Sequence, residues 1–245
     1  MRNAIHPVVT VVMIVAICAT GCMALRTSIS PSESPWQEEF DISERTLVPT
    51  GRNEYFVLEP GFQMILEGTN ALGQSEKLAI TVLDETREVD GVVTSVVEER
   101  EWRDGKLIEV SRNFFAICEK TKDVFYFGEQ VDMIQDGQVV SHSGAWLAGE
   151  NGARAGLIMP GKPRVGMKYY QEIAPAVAMD RAEIVSLDDT LETPAGLFSK
   201  CVRTKEGTAL NSLEKEFKTY APGIGLIQDA SNLLTQHGFV AGSLQ

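Results

Sequence analysis

Four polar residues stand where folding could gather chemistry: Glu129, His142, Glu172 and Asp180. Glu129 ends an aromatic run, and Glu172 follows a glycine-rich stretch. Two carboxylates facing each other could work as an acid/base pair or hold calcium. The competing reading is a pair of rim carboxylates bonded to loop backbone, because structural networks also gather charge. The remaining inventory is thin. His6 lies near the start of the chain, His142 alternates along a strand-like run, and His237 is near the end. No His, Cys and carboxylate spacing suits zinc or a catalytic triad, so no metal is assigned. A P-loop, a dinucleotide fingerprint and a Gly-x-Ser-x-Gly elbow are all absent, and no cofactor is expected. A non-catalytic binding or structural module is therefore the first reading. A hydrolase using Glu129 and Glu172 is the weakest.

Phe125, Phe127, Trp146, Tyr169 and Tyr170 form an aromatic set that could line an apolar pocket, or simply fill a core. A pocket inside a curved sheet would suit a hydrophobic-ligand carrier, as in the proteins that move lipoproteins to the outer membrane. That parallel is one of fold alone, and it requires an apolar cavity of several hundred Å3.

The elements that position these residues are strands. Asp90-Gly91, Asp104-Gly105 and Asp136-Gly137 each sit between runs rich in Val, Ile, Phe and Thr. Asp-Gly suits a two-residue hairpin, whose central residues need positive φ. Around Asp136-Gly137 the expected pairs are Ile134 with Val139, Met133 with Val140, Phe127 with Trp146 and Tyr126 with Leu147, apolar meeting apolar. Around Asp104-Gly105, Trp102 meets Leu107, but Glu99 and Glu101 fall beside Ile108 and Val110; a bulge would relieve that. Further strands are expected at 55–58, 62–67, 77–82, 167–173, 182–188, 198–205, 213–220 and 225–229. Gly149 to Gly166 is crowded with Gly and Pro and reads as an irregular crossing loop. Helix signals are nearly absent. The fold class is all-β: a large curved antiparallel meander, either rolled into an incomplete barrel or split into two halves joined by the Gly/Pro-rich loop.

The N-terminus gives an address. Arg2 precedes an uncharged apolar run, Val8 to Ala19, followed by Ala19-Thr20-Gly21-Cys22. This resembles the lipobox of bacterial lipoproteins, although Ala19 fits its position less well than Leu would. The apolar run falls short of the ~20 residues that span a bilayer. The resemblance implies a signal peptide over 1–21 and an acylated Cys22, carrying palmitate-type chains. Each buried CH2 adds about 0.8 kcal/mol of membrane binding. The expected location is the bacterial cell envelope, lipid-anchored and exposed outside the cytoplasm. With Met23 rather than Asp after the cysteine, it would be the outer membrane if two are present. Residues 22–53, rich in Ser, Pro and Glu, read as a flexible tether; 54–235 is the β domain and 236–245 a tail.

Lys plus Arg number 22 against 34 acidic residues, a net charge of −12. That balance, without a basic stripe, excludes nucleic acid as a partner. The expected partners are the membrane, through the lipid, and an unidentified small ligand or envelope protein. Cys118 and Cys201 remain in the exported domain, either as a disulfide or as two buried thiols.

Five short motifs carry a resemblance: Tyr126-Phe127-Gly128-Glu129, Ser143-Gly144-Ala145-Trp146-Leu147-Ala148-Gly149, Met159-Pro160-Gly161-Lys162-Pro163, Tyr169-Tyr170-Gln171-Glu172 and Tyr220-Ala221-Pro222-Gly223-Ile224-Gly225-Leu226. Together, from about Tyr55 to Asp229, they resemble a family of uncharacterised bacterial secreted proteins and lipoproteins. The family has no established activity, so the resemblance implies fold and location and transfers no catalytic residue. The chain departs from the pattern at Cys118 and Ala145, where polar residues are usual.

Overall fold

All three Asp-Gly turns form as the backbone chemistry requires. Asp90, Asp104 and Asp136 have φ of 49°, 49° and 51°, and Gly91, Gly105 and Gly137 have φ of 74°, 74° and 76°. Positive φ at both central residues is the turn whose twist matches the flanking strands. The computed structural model describes residues 35–240. In chain order the strands are β1 (Leu47–Val48), β2 (Gly51–Asn53), β3 (Phe56–Leu58), β4 (Phe62–Thr69), β5 (Ser75–Val89) and β6 (Val92–Arg103). Next come β7 (Lys106–Cys118), β8 (Val124–Gln135), β9 (Gln138–Ser141), β10 (Trp146–Leu147), β11 (Arg154–Met159) and β12 (Lys168–Tyr170). The last six are β13 (Glu172–Ile173), β14 (Asp180–Thr193), β15 (Gly196–Thr208), β16 (Glu216–Ala221), β17 (Gly225–Asp229) and β18 (Asn232–Phe239). No α-helix occurs among the described residues.

The sheet runs in the order β12-β14-β15-β16-β17-β18-β4-β5-β6-β7-β8-β11-β13. Nearly every neighbour in space is a neighbour in sequence. The exception that rolls the sheet is β18, which pairs antiparallel with β4. The two ends of the order, β12 and β13, are consecutive strands separated by Gln171. Lys168–Tyr170 pairs with β14, and Glu172–Ile173 pairs with β11. The sheet is thus an all-β barrel with one unsealed seam, and a single chain segment runs through that seam.

Several boundaries differ from expectation. The stretch expected as tether is ordered from Pro35. Trp36 lies between Arg181 Cζ, 4.5 Å from its ring centre, and Lys168 Nζ at 5.8 Å. Gln37 bridges to Tyr169 along the free edge of β12, and Phe40 is buried against Phe125. β1 then pairs with β7. An uncovered aromatic pair and a free strand edge outweigh the Ser/Pro/Glu composition here. The expected tail is likewise shorter: Gln236 to Phe239 form the end of β18, whose partner β4 is too distant in sequence for a local pattern to reveal. Inside the expected crossing loop, Arg154–Met159 is a strand on β8.

The Asp136-Gly137 ladder keeps Ile134 opposite Val139, but a bulge sets Met133 opposite Ser141. Trp146 then faces Glu129 and Leu147 faces Gly128, two residues from the expected register. The bulge anticipated beside Trp102 is present: Trp102 pairs with Leu107, and Glu101 with Glu109. Cys118 and Cys201 are both buried free thiols, so the two act as small apolar residues and the disulfide alternative is not realised. No helix among the described residues is long and apolar enough to cross a membrane. The signal peptide and Cys22 lie outside the described residues.

Candidate binding site

Cross-strand register fixes which side chains share the barrel lumen. Val82 faces Val97, which faces Asn113, which faces Glu129. Two residues along, Ile80 faces Glu99, which faces Ser111; two more, Leu78 faces Glu101, which faces Glu109. On the far wall, Tyr220, Lys218 and Glu216 alternate along β16, and Asp229 pairs with Lys218. The lumen therefore changes character along its length. At one end Phe56, Phe62, Met64, Ile80, Val82 and Phe115 line an apolar cavity of about 110 Å3. Beyond Glu99, Lys218 and Asp229 it is strongly acidic.

Lys218 is the cationic centre of the acidic part. Its Nζ lies 3.4 Å from Glu216, 3.7 Å from Glu206 and 3.7 Å from Asp229. Burial would lower its pKa, but Asp229, Glu206 and Glu216 outweigh that and raise it well above the ordinary value. Glu206 is further held by the Thr204 hydroxyl at 2.7 Å and the Tyr220 phenol at 3.2 Å. Across the lumen the balance fails. Desolvation pushes Glu99 up to about 8 despite the attraction of Lys218, with Glu101, Glu129 and Asp229 adding to the rise. Glu101 is pushed up to about 7 by desolvation, then by Glu109 and Asp229.

Two glycines bring Glu129 and Glu172 into this network. Gly128 has φ of 134°, and a Cβ there would come within 2.4 Å of the Trp146 carbonyl oxygen. Only glycine lets β10 cross β8 so closely, which sets Trp146 against Glu129. Gly156 has no room for a Cβ either: it would meet the Gln171 carbonyl at 2.4 Å. That close approach seats Glu172 at the seam, opposite Ala155. Asp180 opens β14 on the other side, where the Gln171 amide donates to the Asp180 carbonyl at 2.7 Å.

The consequence is a carboxyl group in an unfavourable place. Glu172 is only 6% exposed. Desolvation first, then the charges of Asp180 and Glu129, raise its pKa well above the ordinary value. Its Oε2 has no hydrogen-bond partner, and neither does Trp146 Nε1. Glu129 is pushed up to about 7 by desolvation, with Glu109 and Asp180 reinforcing and the Tyr126 phenol opposing. Tyr126 is fixed by its bond to Asn113 Oδ1 at 2.5 Å, and its ring meets Trp146 edge-on at 5.3 Å. Beside Glu129 a cavity of about 230 Å3 opens outward, walled by Trp146, Leu147, Ala153, Ala174 and Val177.

Of the residues named from sequence, Glu129, Glu172 and Asp180 are brought together and His142 is not. His142 is an exposed rim residue, with Nδ1 2.9 Å from Asp132 and from the Val131 carbonyl. The aromatic set does not line one pocket. Phe125 and Phe127 lie on the opposite sheet face from Tyr126, Tyr169 and Tyr170 are buried, and only Trp146 walls the larger cavity. Lys218, Glu99, Glu101, Glu109, Glu206, Glu216 and Asp229 are the residues that sequence reasoning missed. The available signal was the misfit of Glu99 and Glu101 in an apolar ladder: charged residues at inward positions of an alternating strand. No group of three or more His, Cys, Asp and Glu among the described residues is arranged to hold a metal ion. No family model, no curated protein and no solved structure matches this chain.

Proposed function

We propose that this chain is a lipid-anchored protein of a bacterial envelope whose barrel is a non-catalytic ligand-binding module. The observation that carries the binding role is the acidic lumen. Glu206, Glu216 and Asp229 surround Lys218, Glu99 and Glu101 feel its charge, and Glu109, Glu129 and Glu172 continue the run of carboxyls toward the seam. Enclosing that much like charge disfavours the folded state, and such groupings beside a cavity mark functional sites more often than chance. The carrier reading is weaker: an apolar cavity of about 110 Å3 is below the roughly 300–1,000 Å3 of sites that bury small molecules. The hydrolase reading is weaker still, because Glu129 lines the outward cavity and Glu172 does not. The anchor rests on the lipobox-like residues ending at Cys22.

Native extraction of the full chain followed by mass spectrometry tests the binding role: a co-purifying small molecule is expected, and a ligand-free protein that also takes up no added compound overturns it. Replacing Cys22 by Ser should move the protein from the detergent phase to the aqueous phase; unchanged partition removes the anchor.

A further inference from the structure

We infer that the apolar end of the lumen is a binding site for a small neutral phenol, whose ring lies among Phe56, Phe62 and Phe115 and whose hydroxyl meets Lys218, Glu99 and Asp229. This deepens the binding-module reading and rests on it. The cavity, about 110 Å3 in volume, is walled on its apolar side by those three rings together with Leu78, Ile80 and Val82. That volume is too small for a drug-sized ligand. It suits a single ring, since an apolar cavity of about 150 Å3 takes up benzene.

Glu99, Lys218 and Asp229 form the polar end of the same cavity. Their hydrogen-bonding capacity is largely unspent. The Lys218 ammonium stands 3.4 Å from Glu216 and 3.7 Å from both Glu206 and Asp229, beyond the roughly 2.7–2.9 Å of a charge-assisted hydrogen bond. Among the described residues, the Asp229 carboxylate has no closer polar partner than that ammonium, and the Glu99 carboxyl has neither a hydrogen bond nor an ion pair. The Tyr220 phenol, also at this cavity, is by contrast committed to Glu206 at 3.2 Å. Lys218 and Asp229 keep 23% and 21% of their side-chain surface exposed, so the polar end remains reachable.

The charges at this end select a neutral head. A carboxylate drawn to Lys218 would also approach Glu206, Glu216 and Asp229, and an ammonium drawn to Asp229 would approach Lys218. A hydroxyl accepts from the ammonium and donates to a carboxylate, so one group answers both shortages without adding charge. A phenol also matches the wall, because three phenylalanine rings offer edge and face contacts to a fourth ring. Benzene would gain those contacts and leave the polar end unanswered.

Calorimetric titration of the detergent-solubilised full chain with phenol at pH 7 tests this, with benzene, sodium benzoate and benzylammonium chloride as comparisons. Saturable binding of phenol is expected, about tenfold tighter than any of the three. Val82→Phe, which fills the cavity and leaves every charged group in place, should abolish it. Because that variant could perturb the sheet, Glu99→Leu supplies an independent reading: phenol should fall to the level of benzene while benzene still binds. Equal binding of benzene and phenol by the unaltered chain, tighter binding of benzoate or benzylammonium, undiminished phenol binding by Val82→Phe, or a full preference for phenol in Glu99→Leu overturns the phenol site. If phenol does not bind but native mass spectrometry finds another ligand, the phenol site fails and the module survives. If it finds none and no probe binds, both fail.

Discussion

The two ends of the lumen are built by the same strands and lie four to six residues apart along each. On β7, Phe115 stacks on Tyr126 at 4.7 Å and meets Phe56 at 5.2 Å, whereas Ser111 and Glu109 on the same face look into an acidic space. On β16, Tyr220 closes the apolar cavity and Glu216 joins the charged cluster. One end behaves as a conventional core, where removing surface from water is the dominant stabilising term. The other is enclosed by the wall yet loaded with carboxylates that water only partly reaches. The contrast teaches that strand alternation selects a face without selecting its chemistry. The acidic end is held by the surrounding wall, at a cost to stability that depends on pH.

The largest expected effect breaks the apolar end. Phe115→Ala should destabilise by roughly 3–5 kcal/mol, with little change between pH 5 and 8, as measured by urea unfolding; a strong pH dependence would mean the two ends are coupled. Next, Lys218→Met removes the cation that Glu206, Glu216 and Asp229 surround. A loss of roughly 2–4 kcal/mol is expected at pH 8, allowing for the partial exposure of Lys218, and clearly less at pH 5, where carboxyls take up protons. An equal loss at both pH values would show that Lys218 matters for packing alone.

Glu99 sharpens the comparison from the other side. Its folded pKa lies above the unfolded value, so the folded state holds the proton more tightly. The stability that this contributes is complete below about pH 4.5 and is lost as pH rises through about 8. The melting temperature should therefore fall between pH 5 and 8. Glu99→Gln should flatten that fall and stabilise by about 1–2 kcal/mol at pH 8, after discounting for its partial exposure; a destabilised variant would mean that the charge is matched by a partner. The smallest effect concerns the seam. Arg154, on β11, pairs with Glu38 and Glu39, which flank the segment lying on β12. Because these side chains are largely exposed, Arg154→Ala should cost only about 0.2–1 kcal/mol. Hydrogen exchange should nonetheless rise at the Gln37 and Tyr170 amides, which bond across to Lys168 and Gln37; unchanged exchange would remove the ion pairs from the closure.

Much of this protein is legible without coordinates. The Asp-Gly turns, the neighbour-paired strands and the absence of helix are local facts: φ preferences and side-chain alternation act over two to ten residues, and the strand at Gly225–Asp229 falls where expected. Closure of the sheet by β18 on β4, the docking of Trp36, the burial of Phe40 and the two-residue displacement of Trp146 were not legible. Each depends on partners far apart in sequence or on a bulge that no pattern announces. The meeting of Glu129 with Glu172 is of the same kind: the sequence could name the pair, but only the close crossings at Gly128 and Gly156 bring them together. Local chemistry determines which segments are strands. Which face of each strand becomes the lumen, and whose charge meets whose, is decided only when distant segments compete for the same enclosed space.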